Sequence, residues 1–254
     1  MSDLSAGRRR APSELTLIRH AESLGNVADR VAREKSAHHL DLAYRDADTP
    51  LSDVGRAQAV AVSRWAAQLE ETQRPSVVLS SPYQRAHQSA RLSVEPLGLG
   101  DHIVVDERLR ERDLGILDRM TGDGIRQNYP QEAARRADVG KFYYRPPGGE
   151  SWTDVVARVR SVLADIRSEY DGERVWIFSH QAVIMSFRFV LEGLDEPTLL
   201  AIDAQTPMDN CSMTRYARSE AGALTLVHYA DTAAVERYGA PRTHEESHGS
   251  GAHA

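Results

Sequence analysis

Short apolar runs alternate with longer stretches of helical periodicity along most of this chain, and that alternation narrows the possible folds more than any other feature. The runs are Leu15–Ile18, Val77–Leu79, Ile103–Val105 and Val175–Phe178. Each is too short for a helix and apolar at consecutive positions, as expected of strands covered on both faces. After Ser151, Val155, Val159, Val162, Leu163, Ile166 and Tyr170 recur at spacings of three and four, which marks one buried helix face. A second such pattern runs from Ser52 to about Glu70, with Val54, Ala57, Ala61, Trp65 and Leu69 on one side. The stretches after Pro82 and after His180 also read as helices. Strand–helix alternation predicts an α/β class, a three-layer α/β/α sandwich around a mostly parallel central sheet. Near the end, Met213–Tyr216 and Leu224–His228 flank Ser219–Gly222. That pattern predicts a hairpin and, with it, an antiparallel edge strand.

With 254 residues the chain suits one large domain, spanning 14–238, better than two small ones. Residues 1–13 read as a polar, disordered leader and 239–254 as a disordered tail, rich in His, Glu, Ser and Gly. His244, His248 and His253 fall in that tail, and solvation explains them better than metal binding. Apolar content of 41% is enough for a substantial core. A net charge of −6 argues against a nucleic-acid partner bound through overall positive potential. It leaves room for a local cationic pocket, which a few arginines can build. No apolar run approaches the roughly 18 residues of a membrane span, so no membrane partner is expected. The single cysteine, Cys211, excludes an intramolecular disulfide and a multi-cysteine zinc site. A cytoplasmic location follows as the expectation, and the sequon Asn210-Cys211-Ser212 is then incidental. The oligomeric state is not readable from these residues.

Ligands of open α/β sheets bind beyond the carboxyl ends of the strands, so the residues that follow each run carry the functional argument. Arg19 and His20 follow Ile18, with Glu22, Ser23 and Asn26 close behind. Ser80, Ser81, Pro82 and then Arg85 follow Leu79; Glu107, Arg108, Glu111 and Arg112 follow Val105; Ser179 and His180 follow Phe178. Taken singly, each has a plain structural explanation: an exposed histidine, a surface ion pair, a charged loop. Four strand ends together deliver two histidines, two or three arginines and a carboxyl group to one edge, and that combination suits a phosphate. Arginine forks match phosphoryl oxygens with paired, charge-assisted hydrogen bonds. Ser179 is placed to cap the helix that follows, with His180 beside its free N–H groups. A neutral imidazole can attack phosphorus in line, while fixed arginines stabilise the transition-state charge. Glu111 is the nearest acid for the departing oxygen, provided partial burial raises its pKa.

These residues are also similar to those of a known family. Leu17-Ile18-Arg19-His20-Ala21-Glu22-Ser23 with Asn26, Leu51-Ser52 with Gly55, Gln58 and Ala59, and Ser80-Ser81-Pro82 with Arg85-Ala86 and Ser89-Ala90 resemble motifs of the histidine phosphatase superfamily, the phosphoglycerate mutase-like enzymes. Leu109-Arg110-Glu111 with Gly115, Pro147-Gly148-Gly149-Glu150-Ser151 and Ser179-His180 complete the set, in family order. The resemblance implies a phosphohistidine at His20 with no metal and no cofactor. It implies that Arg19, Arg85 and His180 bind the phosphoryl group and that Glu111 serves as acid, then base. Ser23 and Asn26 are expected as secondary phosphate contacts.

Three departures bear on this expectation. Ala21 stands where the family usually has Gly, which would strain the loop if its φ were positive. Ser89 replaces a typical Thr and keeps the hydroxyl. Gln181 follows His180 where glycine is common, so it narrows the pocket or adds a hydrogen bond to substrate. The stretch Val27–Pro50 is longer than usual, with His38, His39 and Tyr44 as candidate lid residues. Phosphatase and mutase share this site. Relative to family mutases the span from Glu111 to His180 is short, which favours a phosphatase acting on a small phosphorylated molecule. Arg112 and Arg145 lie within that span, and Arg145 is placed to meet a second acidic group on the substrate. The alternatives are a cofactor-dependent phosphoglycerate mutase and a non-catalytic phosphate-binding module. There is no Gly-x-Ser-x-Gly elbow and no Gly-x-x-x-x-Gly-Lys loop.

Overall fold

The computed structural model describes residues 10–244. The six strands are β1 (Glu14–Arg19), β2 (Val77–Ser80), β3 (Val104–Val105), β4 (Arg174–Ser179), β5 (Met213–Arg218) and β6 (Leu224–Asp231). They form one sheet in the order β3-β2-β4-β1-β5-β6. The pairs β1–β4, β2–β4 and β2–β3 are parallel; β5 runs antiparallel to β1 and β6 antiparallel to β5. The expected hairpin therefore closes the sheet on one side, with β5 inside it and β6 at the edge.

Among the helices, α1 (Leu24–Glu34), α2 (Asp53–Ala67) and α3 (Gln84–Val94) precede β3. Helices α4 (Gly122–Asn128), α5 (Pro130–Val139) and α6 (Trp152–Glu169) lie between β3 and β4, and α7 (Gln181–Glu192), α8 (Glu196–Gln205) and α9 (Ala233–Arg237) follow. Alternation along the strands fixes the two outer layers. Leu15 and Leu17 of β1 and Val175 and Ile177 of β4 join α6 and α7 in one core. Ile18, Trp176 and Phe178 face the other way and pack against α2, α3 and α9. Both faces are buried, which is why these runs read as apolar at nearly every position. A small third core of Leu117, Met120, Ile125 and Tyr144 holds the segment between β3 and α6 together.

This topology has a switch point between neighbouring strands. The chain leaves β1 toward α2 on one face and leaves β4 toward α7 on the other, which opens a crevice at their carboxyl ends. Arg19 and Ser179 are register partners, so the next residues, His20 and His180, stand side by side.

The terminal segments correct the sequence reading. Most of the leader and the tail, residues 1–9 and 245–254, lies outside the described residues. Residues 240–243 do not behave as loose chain. Gln58 Nε2 donates to the carbonyl of Pro241 and to Thr243 Oγ1, both at 2.8 Å, and Asn210 N–H donates to the carbonyl of Thr243 at 2.8 Å. Ala11 is likewise fully buried. Composition misses such a segment because its partners are backbone groups and amides far away in sequence.

Candidate active site

His20 and His180 stand where a strand gives way to a loop or helix, Arg85 in the first turn of α3, and Glu111 in the loop beyond β3. At the end of β1, the N–H of His20 donates to the carbonyl of Ser179 (2.9 Å), extending the parallel ladder by one bond. Asn210 Nδ2 donates to the carbonyl of His20 (3.0 Å), and Thr243 holds Asn210 in turn through its own hydroxyl. Ala21 has no positive φ, so the feared strain is absent; its N–H donates to Ser89 Oγ at 2.9 Å, which is the use of that retained hydroxyl. Gly55 lets α2 close over this loop, since a Cβ there would sit 1.9 Å from the carbonyl oxygen of Glu22.

The imidazole of His20 is buried in the wall of a hollow of about 340 Å³. Its Nδ1 bonds the carbonyl of Ala21 at 2.8 Å. A carbonyl only accepts, so Nδ1 carries the proton and Nε2 keeps its lone pair. Burial, then the charges of Arg85 and Arg19, hold the His20 pKa well below the ordinary histidine value. The ring of His180 packs against it, centroids 5.1 Å apart. Tyr83 N–H donates to Ser81 Oγ, and the same hydroxyl is hydrogen-bonded to His180 Nε2 at 2.8 Å. His180 Nδ1, buried, finds no acceptor among the described residues. Burial and the neighbouring Arg85 keep this second imidazole neutral as well.

Arg85, from the first turn of α3, lies 5.0 Å over the Tyr83 ring and pairs with Asp46, through the carboxylate at 2.9 Å and the carbonyl at 2.6 Å. Arg19 is fully buried, and its guanidinium donates to the carbonyl of Met208. Glu111 forms another wall of the hollow, its carboxylate accepting from the N–H of Arg112 at 2.7 Å. Burial raises its pKa against the opposing pull of that hydrogen bond, Arg85 and Arg158. The segment bearing it is pinned from α6: Arg158 donates to the carbonyls of Arg108 (2.6 Å) and Glu111 (3.2 Å) and pairs with Glu150 at 3.1 Å. Glu150 also accepts from the N–H of Asp113.

The expected residues thus fall into three groups. His20, Arg85 and Glu111 line the hollow; His180 packs against the His20 ring, and Arg19 is buried without lining the hollow. Ser23, Asn26, Arg112 and Gln181 also reach it. Ser23 and Asn26 are however engaged with each other as the capping box of α1, at 3.0 and 3.2 Å. Arg145 stays away: it is exposed and paired with Asp154 at 2.8 Å, so its expected contact with a second acidic group is corrected. Ser179 does not cap α7 either, because its hydroxyl donates to the carbonyl of Leu109 and His180 occupies the cap position. In the 27–50 stretch, Leu40, Leu42, Asp46 and Thr49 line the hollow, whereas His39 bridges to Met120 and Tyr44 is exposed. Asn210, Arg158 and Asp46 were not foreseen. For Arg158, the only available signal was a basic residue beside the apolar face of an amphipathic helix.

The sequence model of the histidine phosphatase superfamily (branch 1) matches residues 15–232. The chain is 32% identical over 174 residues to the 6-phosphofructo-2-kinase/fructose-2,6-bisphosphatase of Caenorhabditis elegans, a match covering 68% of this chain and 33% of that protein. It is 29% identical over 176 residues to the fructose-2,6-bisphosphatase of Saccharomyces cerevisiae, covering 69% and 33%. The chain therefore aligns with about a third of the length of these relatives. Among solved structures, mycobacterial glucosyl-3-phosphoglycerate phosphatase superposes with a TM-score of 0.67 at 28% identity, covering 86% of this chain and 98% of that one. A phosphoglycerate mutase from Bacillus anthracis (TM-score 0.67, 16% identity, 91% and 98% covered) shares the fold.

Proposed function

Because the chain belongs to the histidine phosphatase superfamily, we propose that it is a phosphatase that hydrolyses small phosphate monoesters through a phosphohistidine on His20. The observation that carries this reading is the hydrogen bond from His20 Nδ1 to the carbonyl of Ala21, which turns an unprotonated Nε2 to the hollow that Glu111 and Arg85 also line. Nε2 attacks phosphorus in line as the ester oxygen departs. Arg85, Arg19 and His180 Nδ1 supply the donors for the phosphoryl oxygens, and phosphate displaces Asp46 from Arg85. Glu111, whose carboxyl burial shifts toward the neutral form, gives its proton to the leaving alcohol and then takes one from the water that cleaves the phosphohistidine. The reading needs no metal, and a buried, unpaired Cys211 thiol suits a reducing, cytosolic setting.

The charges around the hollow support a phosphatase rather than a mutase. A mutase retains a doubly phosphorylated intermediate, which calls for several free cations and exclusion of water. Here Lys141 is paired with Asp203 at 2.7 Å and Arg119 lies 3.7 Å from Asp118. Arg112 alone among the lining bases has no ion pair within the described residues, and Asp113 adds a further negative charge. The test is His20→Ala with a panel of phosphate monoesters. Turnover falls by at least about 10³-fold while the circular dichroism spectrum is retained. Wild-type protein quenched in alkali after brief exposure to ³²P-labelled substrate carries an acid-labile, base-stable label that the variant lacks. Undiminished turnover by the variant would refute the nucleophile.

A further inference from the structure

Where the first turn of α7 meets α8, Gln181 Nε2 donates to Asp203 Oδ1 at 2.8 Å. The other carboxylate oxygen accepts from Lys141 Nζ at 2.7 Å, and that ammonium also lies 5.7 Å from the centre of the Trp152 ring. The Asp203 side chain is only 2% exposed, so its charge is buried and balanced by Lys141. An ionised carboxylate can only accept, so the amide nitrogen, not the amide oxygen, must face it. Flipping the amide would set two acceptors against each other at a buried carboxylate. The orientation of Gln181 is therefore fixed from behind. No hydrogen bond to its Oε1 forms among the described residues, and the residue lines the hollow.

We propose that Gln181 selects the alcohol part of the substrate: Oε1 accepts a hydrogen bond from a hydroxyl there, so monoesters of polyhydroxylated alcohols are preferred to monoesters lacking such a donor. Asp203 and Lys141 are positioning residues that keep the acceptor turned outward. An acceptor oxygen held beside a carboxylate disfavours an anionic group at this point and favours a neutral donor. A site built to hydrogen-bond a hydroxyl discriminates against analogues without one, because the site's own polar group is then left unpaired. This deepens the phosphatase reading and rests on it.

The experiment compares kcat/KM for a sugar or polyol phosphate with that for phenyl phosphate, and reads the ratio. Gln181→Met keeps the length of the side chain and removes the acceptor; the ratio falls about tenfold or more. Asp203→Ala, which frees the amide to turn, lowers the ratio similarly, and Asp203→Asn, which can still accept from Nε2, lowers it less. An unchanged ratio in Gln181→Met, or equal losses on both substrates, overturns the proposal while leaving the phosphatase standing. A ratio preserved in Gln181→Met but lost in Gln181→Gly also overturns it, since space filling alone would then explain the selection. Failure of the wild type to turn over either compound removes the phosphatase reading and the selection together.

Discussion

A nucleophilic imidazole must stay unprotonated, and a general acid must stay protonated, at the same pH. In the proposed mechanism His20 and Glu111 meet these opposite demands through one physical cause. Desolvation penalises the charged form of each, pulling the histidine down and the carboxyl up. Arg85 and Arg19 deepen the first shift, while Arg85 and Arg158 oppose the second, so the upward shift of Glu111 comes from burial. Glu111→Gln keeps the shape and removes the transferable proton. We expect kcat/KM for alkyl phosphates to fall about 10²–10³-fold and that for p-nitrophenyl phosphate far less, because a good leaving group departs unassisted. Steady-state kinetics across a leaving-group series checks this, and an equal loss at every leaving group would count against the acid role. These two residues, with Arg19, Arg85 and His180, were legible in sequence because each follows an apolar run or lies in the charged segment after one. Asn210 and Ser81 act through a backbone carbonyl and a ring nitrogen at sequence separations of 190 and 99, which no local pattern reports.

The elements that carry the site were equally legible where periodicity was strong. The capped helix after Ser151 and the four parallel strands appear within a residue or two of their expected bounds. Residues 37–50 have no periodicity, so nothing in the sequence announced that Asp46 would turn inward onto Arg85. Its carboxylate is 41% exposed while the guanidinium is 7% exposed, so the pair is screened on one side only. In the proposed phosphatase, Asp46 competes with phosphate for the same donors. An exposed or half-exposed pair contributes under about 1 kcal/mol, and Asp46→Asn is accordingly expected to tighten competitive inhibition by inorganic phosphate about two- to fivefold. Weaker inhibition in this variant would mean that Asp46 orients Arg85 for phosphate rather than competing with it.

At the scale of the whole molecule, the switch point between β1 and β4 sets two imidazoles side by side in the interior with two arginines, and that arrangement has a consequence for stability. His20 and His180 both titrate well below the ordinary histidine value in the folded state, chiefly through burial. The unfolded chain, with histidines near 6.5, binds more protons than the folded chain as the pH falls below that point. Stability is therefore fully present above about pH 6.5 and is lost as pH falls from there through the two depressed folded values. At pH 5 the ceiling is about 2 kcal/mol per imidazole, from 1.36 kcal/mol for each pH unit below the unfolded pKa. His87, lowered by burial and by Arg91, adds in the same direction. Urea unfolding at pH 7 and pH 5 measures the loss. In the His20→Asn, His180→Asn double variant the difference between the two pH values should shrink by on the order of 2–4 kcal/mol relative to the wild type. An identical acid loss in the two proteins would mean that carboxylates, not the paired imidazoles, govern the acid limb. The burial of His20 would then carry no stability penalty below neutrality, and its depressed pKa would have to be abandoned.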